Sequence, residues 1–589
     1  MPRLRAVLCF GGVLLASWLA AAPGRAPAAA PREDLLRSDA PEGNFGGGIV
    51  TALRSDPKTF NPAFAVDGGS KEVLGLMNAD LIHINRSTQA TEPALAKSWK
   101  VSADGRRYTL QLRRGIRFSD GQPLTADDVV FSFQVYLDEK LHSPQRDLLV
   151  VNGTPLQVHK LSEDAVEFSL AEPYAAAERL FDSISILPRH LLEAAYREGK
   201  FEGTWGVNTP VSEIAGLGAF RLKEYVPGQR VVLERNPYYW KMGAAGKRLP
   251  YLDQITYLFV PSEDAEVLRF QAGDTDILGR FSADNFSMLE SKEQAAGYRV
   301  ADLGPGLEYN FLFFNLNDAS AQAAAETGRK QAWFRDVRFR QAVSEAIDRD
   351  AIVRLVYRGR GTALWGNVTP GNRRWVDANL PHPARSIADA RKLLASAGFS
   401  WSGDGALLDQ VGKPVEFTII TSSSNAPRRQ MSTIIQDDLS QLGMHVNIVP
   451  IEFRSLLDRV FNTHDYEACL LALGTGDADP TAEMNVWPSS GSTHVWHLGE
   501  TKPATPWEAQ IDELMQKQEV TLKYAERKAL FDRVQELIGQ NLPVICLASP
   551  NILLAAKNTI GNFRPAILAP YATWNAEELY LRKPGNDSK

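Results

Sequence analysis

The residues that could do chemistry in this chain are few. His494 and His497 stand three apart in His-Val-Trp-His, a spacing that would bring two imidazoles to one side of a helix. Two ligands do not make a catalytic zinc site, which needs three plus an open position. His464 and Asp465 could join them only through folding. We read the pair as surface or satisfied histidines beside a packed Trp496. The carboxylate pairs Asp127-Asp128 and Asp437-Asp438 fall in helical stretches, and the first suits an opening turn, where acid complements the helix dipole. There is no GxxxxGK(S/T) phosphate loop, no GxSxG elbow and no HExxH. One carboxylate is placed differently. Asp477 follows an apolar run at a glycine-flanked turn, where a backbone can approach a ligand closely.

The elements that must position these residues alternate between strand and helix. Strands are expected at 48–53 and 108–112, with Asp104-Gly105 as a hairpin turn. Thr125 and Asp128 form a capping box opening a helix that runs to about Asp138. The strand 415–421, a helix carrying Met431, Ile435 and Leu439, an end cap at Gly443 and the strand 446–451 imply a parallel pair with a right-handed crossover. Asp336 and Asp348 cap two further helices, and 522–539 is a long amphipathic helix. Residues 31–45 read as a loose arm. The class is α/β. Interdomain linkers are absent, so domains built from discontinuous segments are expected.

Composition narrows the function. Of 589 residues, 44% are hydrophobic and 23% charged, which excludes disorder over most of the chain. A net charge of −6 without a basic stripe excludes a nucleic-acid binder. Three cysteines exclude a disulfide scaffold. Arg3 and Arg5, an apolar run over 6–22 and the small residues up to Ala30 read as a signal peptide over 1–30. The remaining Cys469 and Cys546 are either free buried thiols or one disulfide.

Longer motifs carry a resemblance. Pro93-Ala94-Leu95-Ala96-Lys97-Ser98-Trp99 leads through Asp104-Gly105 and Tyr108-Thr109-Leu110 to Gly115-Ile116-Arg117-Phe118-Ser119-Asp120-Gly121-Gln122-Pro123. Gly218-Ala219-Phe220, Arg235-Asn236-Pro237-Tyr238-Tyr239-Trp240, Phe334-Arg335-Asp336-Val337-Arg338 and the 389–399 helix follow in order. This series resembles the bacterial extracellular solute-binding proteins of family 5, the peptide- and nickel-binding receptors of ABC importers. The resemblance implies an α/β fold of two lobes, of the periplasmic-binding-protein or Venus-flytrap type, with an extra subdomain inserted in lobe I and two crossing hinge strands. Lobe I would comprise 46–80, 210–305 and 546–589, the insertion 81–209 and lobe II 306–545. The hinge strands would lie at 309–315 and 544–550.

The same resemblance implies the site. Peptide-binding members hold the peptide backbone by strand-like pairing and its ammonium by an aspartate. The 470–480 segment is similar to that region, which gives the ammonium to Asp477 and places Gly474, Thr475 and Gly476 beside it. Val66, Asp67 and Gly68 match the facing strand of lobe I. Leu473 and Gly474 stand where such members commonly carry a Gly-Trp pair, so Trp487 and Trp496 are candidates for the lost aromatic wall. The implied protein is a monomeric receptor, periplasmic or extracellular, that hands a peptide-like solute to membrane permease subunits. It is not an enzyme and uses no cofactor or metal. An oligosaccharide or a metal chelate is the alternative solute, and a secreted hydrolase the rival without a catalytic motif to support it.

Overall fold

The computed structural model describes residues 33–583 apart from 152, 183, 318–324 and 475–476. The expected signal peptide, Thr475 and Gly476 lie outside the described residues. A four-stranded sheet takes its strands in the order Phe220–Val226, Arg230–Arg235, Gln254–Phe259, Gly48–Leu53. The last joins parallel to its neighbour and the others are antiparallel. Alternating residues such as Ile49, Val231, Leu233 and Ile255 face inward, the period-two pattern of a half-buried sheet. A second antiparallel sheet, Ala96–Val101, Arg107–Leu112, Ala165–Ser169 and Gln157–Ser162, falls between the first strand of that sheet and the rest in sequence. The helix Ala126–Leu137 packs on it. Its capping box forms as the sequence predicts, with Thr125 N–H donating to Asp128 at 2.9 Å. Gly105, at φ +69°, makes the tight turn between the first two strands. The two sheets share one apolar core.

The largest sheet carries the second body and reaches back to the first through the strand Val544–Lys557. Its path runs Ile277–Leu278, Val544–Lys557, Tyr309–Phe314, Ala468–Leu473, Glu416–Ser422, His445–Ile451. Tyr298–Pro305 and Gly361–Ala363 also pair with Val544–Lys557. The strands Glu416–Ser422 and His445–Ile451 are parallel and flank the helix Ala426–Ser440, as the sequence predicts. Tyr309–Phe314 is buried on both faces. Asp336 and Asp348 cap their helices as expected, each accepting a backbone N–H.

One reading changes and two open ones are resolved. The 33–45 arm is not loose throughout. Leu36–Arg37 pairs in parallel with Lys241–Met242, Leu35 and Leu36 pack on the first core, and Ala40 is buried. His494 and His497 sit in turns rather than on a helix. Cys469 pairs with Phe313 and Cys546 with Phe311, on opposite sides of the strand Tyr309–Phe314. Two strand spacings are about 9.6 Å, beyond the Cα separation of about 7 Å that a disulfide tolerates. Both are free and buried.

Where the inserted sheet meets the first body, His83 lies 3.3 Å from Asp182 and 3.6 Å from Asp80. Arg86 and the Ile84 N–H also bond Asp182, at 2.9 and 2.6 Å. Burial works against the imidazolium, but hydrogen bonds to Asp182 and Asp80 outweigh it and hold His83 up at about 9, against 6.5 ordinarily. A folded pKa raised in this way favours folding fully below the unfolded value and is lost as pH rises through the folded one. Asp80, pushed up to about 6 by burial, acts in the same direction at lower pH. The melting temperature is expected to fall as pH rises from 6.5 to 9, and His83→Gln should flatten that slope. A wild-type profile flat over this range, or an unchanged slope in the variant, would sink the assignment.

Candidate functional site

Between the two bodies lies a cavity of 750 Å³. One wall is the end of Gly48–Leu53, the helix Gly68–Met77 and residues 571–573; the other is the N-terminus of Ala426–Ser440 with Tyr357; Glu308, Asn310, Pro550 and Asn551 close the back. A second cavity of 300 Å³ shares Arg280, Glu308 and Tyr571 with the first. The two are therefore neighbouring chambers of one cleft, parted by the Arg280–Glu308 ion pair at 2.8 Å.

Most charges around the cleft are already satisfied. Arg54 bonds Glu266 at 2.9 Å, and Arg360 bonds Glu290 at 2.9 Å. Two are not, and they stand on opposite walls. Glu72 accepts from Thr573 Oγ1 at 2.6 Å, and no lysine or arginine pairs with it among the described residues. Burial pushes its carboxyl above the usual range. Arg428, in the first turn of Ala426–Ser440, donates through Nε to Asn310 Oδ1 at 3.2 Å. No carboxylate lies in ion-pair range of it among the described residues, and burial lowers its guanidinium despite Glu308 nearby. Such a pair of half-compensated groups would gain most from a ligand that supplies the missing charges.

The residues expected from sequence are distributed differently. Gly474 lines the smaller chamber. Asp477 borders a space of only 20 Å³, about one water. Its carboxylate is gripped at both oxygens by Arg179, which comes from the inserted sheet's side of the molecule. Arg179 also donates to Gln89 O at 3.2 Å, Gln89 to Gly371 O at 2.8 Å, and Ala175 N to Glu519 O at 2.7 Å. Together these make a clasp between the bodies. Asp479, two residues on, bonds Arg527 at 2.7 and 2.5 Å, with each side chain 5% exposed. Burial works against its charge, yet Arg527 holds the carboxyl below the usual range.

Val66, Asp67 and Gly68 line neither chamber. Val66 is 62% exposed. Asp67 is spent as the N-cap of Gly68–Met77, accepting from Ser70 N at 2.8 Å and Ser70 Oγ at 2.7 Å. Glu72, one turn into that helix, reaches the cavity instead. Trp496 is fully buried, 5.8 Å from Trp487 between ring centroids, and forms part of the second core rather than a cleft wall. Sequence reasoning missed Glu72 and Arg428. The available signals were an acid on a helix otherwise apolar or small over 72–77 and an arginine at a helix start, where a cation opposes the dipole.

Comparison with known proteins agrees with this architecture. The family model described as bacterial extracellular solute-binding proteins, family 5 Middle, matches residues 90–494. A probable ABC transporter-binding protein of Deinococcus radiodurans is 28% identical over 87% of this chain and 88% of that one. The oligopeptide-binding protein AppA of Bacillus subtilis is 24% identical over 88% and 89%. Among solved structures, the ABC transporter substrate-binding protein CtaP of Listeria monocytogenes superposes with a TM-score of 0.74 at 23% identity, covering 92% of this chain and all of that one.

Two outcomes test these charges. Asp479→Asn or Arg527→Gln leaves a buried partner uncompensated and should cost about 3–5 kcal/mol of stability; an unchanged urea midpoint would show the pair to be idle. Arg179→Gln removes the clasp's charged bonds, worth about 1.5–3 kcal/mol, and should open the ligand-free protein. Small-angle scattering would show a larger radius of gyration, and an unchanged profile would reject the clasp.

Proposed function

The chain belongs to the bacterial extracellular solute-binding proteins of family 5, and on that premise we propose that it is an exported receptor for a peptide-like solute. It captures the solute between its two lobes and presents the closed form to the permease of an ABC importer. The leader over 1–30 directs it out of the cytoplasm. Lobe I takes in 46–80, 210–305 and 546–589, with 81–209 inserted, and lobe II is 306–545.

The observation that carries the solute class is the pair of unmatched charges on opposite walls of the 750 Å³ chamber. A free peptide brings an ammonium and a carboxylate, and among the described residues Glu72 and Arg428 are the charged cavity groups without a partner of opposite charge in ion-pair range. The resemblance gives the ammonium to Asp477; in this conformation Arg179 already supplies that positive charge. A ligand touching both walls stabilises only the closed arrangement, and so shifts the open–closed equilibrium.

Calorimetry with tri- to hexapeptides, free, N-acetylated and C-amidated, tests this. Free peptides should bind the wild type best. Glu72→Gln should lose about 10- to 150-fold for free amines and cease to discriminate against acetylation. Arg428→Gln should do the same for the carboxyl end. If Asp477→Asn instead erases the ammonium preference, the anchor is Asp477. If no peptide binds while an oligosaccharide or metal chelate from the same panel does, the solute class is wrong.

A further inference from the structure

Away from the cleft, the chain packs three ligating side chains near the start of the helix Pro506–Val520. His494 is fully buried, and its Nδ1 lies 2.9 Å from the carbonyl oxygen of Val486. A carbonyl only accepts, so Nδ1 carries the proton and donates. The other nitrogen, Nε2, is buried without a hydrogen-bond partner among the described residues. It faces Glu508 Oε1 at 3.7 Å, too far for a hydrogen bond. Glu500 completes the group: one oxygen from each glutamate and a nitrogen of His494 lie within 4.8 Å of one another. The side chains of Glu500 and Glu508 are each 3% exposed.

The glutamates are held in place from behind. Glu508 accepts from Thr505 Oγ1 at 2.7 Å and Trp496 Nε1 at 3.3 Å, and Glu500 from Ala504 N at 3.1 Å. His497 Nδ1 abuts Glu500. No lysine or arginine forms an ion pair with either glutamate among the described residues. Arg340, whose charge reaches Glu508, spends its guanidinium on the carbonyls of Phe334 and Asn541. Two buried carboxylates facing an imidazole lone pair cost several kcal/mol per ion unless positive charge sits among them; a protonated His497 would offset Glu500, and a cation among the three groups would serve both glutamates.

We propose that His494, Glu500 and Glu508 bind a divalent transition-metal cation, with zinc the best fit to one imidazole and two carboxylates. The donor that zinc needs from histidine is a neutral ring nitrogen whose partner N–H is fixed by a carbonyl, and His494 has that form. The closed surroundings suit a structural ion, which would fasten the 484–505 segment to the helix that follows. The other converging set, Asp80, His83 and Asp182, differs in kind. Arg86 and the Ile84 N–H already bond Asp182, so that cluster has its positive charge.

The test is the metal content of untagged protein, grown with zinc sulfate and exchanged into metal-free buffer. Mass spectrometry of the elements should find about one zinc per chain. A strong chelator should lower the melting temperature, and added zinc should restore it. His494→Gln and Glu500→Gln should each retain less than about a tenth of the metal and lose the chelator response. The rival arrangement protonates Nε2 and pairs it with the glutamates. Protein free of metal whose melting ignores both chelator and zinc would establish that rival and overturn the proposal, whether or not the variants fold. So would metal content equal in wild type and His494→Gln.

Discussion

One strand constrains everything else. Val544–Lys557 pairs with Tyr309–Phe314 through its first half and with Tyr298–Pro305 and Ile277–Leu278 through its second. The two bodies are thus joined by backbone hydrogen bonds rather than by a tether. Pro550 has no N–H to give the ladder, and with Asn551 it is only partly buried between the buried runs 544–549 and 552–556. Pro550 and Asn551, where the strand passes from one set of partners to the other, line the cleft together with Glu308.

The charges divide by location. Within the second body, Asp479 and Arg527 are enclosed and bonded twice. Between the bodies, Arg358–Asp284 and Arg360–Glu290 are largely wet, with side-chain exposures of 31–73%. Exposed pairs contribute about 0–1 kcal/mol each. The contacts between the bodies therefore differ among themselves: these two exposed pairs are weak and exchangeable, whereas the Arg179–Asp477 clasp, with side chains 11% and 25% exposed, is the stronger one.

Sequence revealed the architecture further than the site. The Thr125–Asp128 box, the parallel pair around Ala426–Ser440 and the hairpin at Gly105 rest on interactions within a few residues, so they were legible. The α/β class came from the alternation of strands and helices, and the two-lobed form from the resemblance carried by ordered motifs between 93 and 399. The site depends on partners distant in sequence. Asp477 meets Arg179 across 298 residues, and nothing local announces it. Asp67 looked available but is consumed by the helix it caps, and Glu72 beside it carries no motif at all. Trp496 satisfied an expectation about aromatic walls but was claimed by the second core. Composition says which residues prefer burial, not which core takes them.

The placement of Cys469 and Cys546 on either flank of Tyr309–Phe314 has a consequence for biogenesis. The pair cannot join without dismantling the central sheet, and burial pushes both thiols up, Cys546 to about 12, so neither offers a thiolate to an oxidant. For these two cysteines, folding therefore requires neither a thiol oxidase nor a disulfide isomerase, and their state is insensitive to the redox poise of the surroundings.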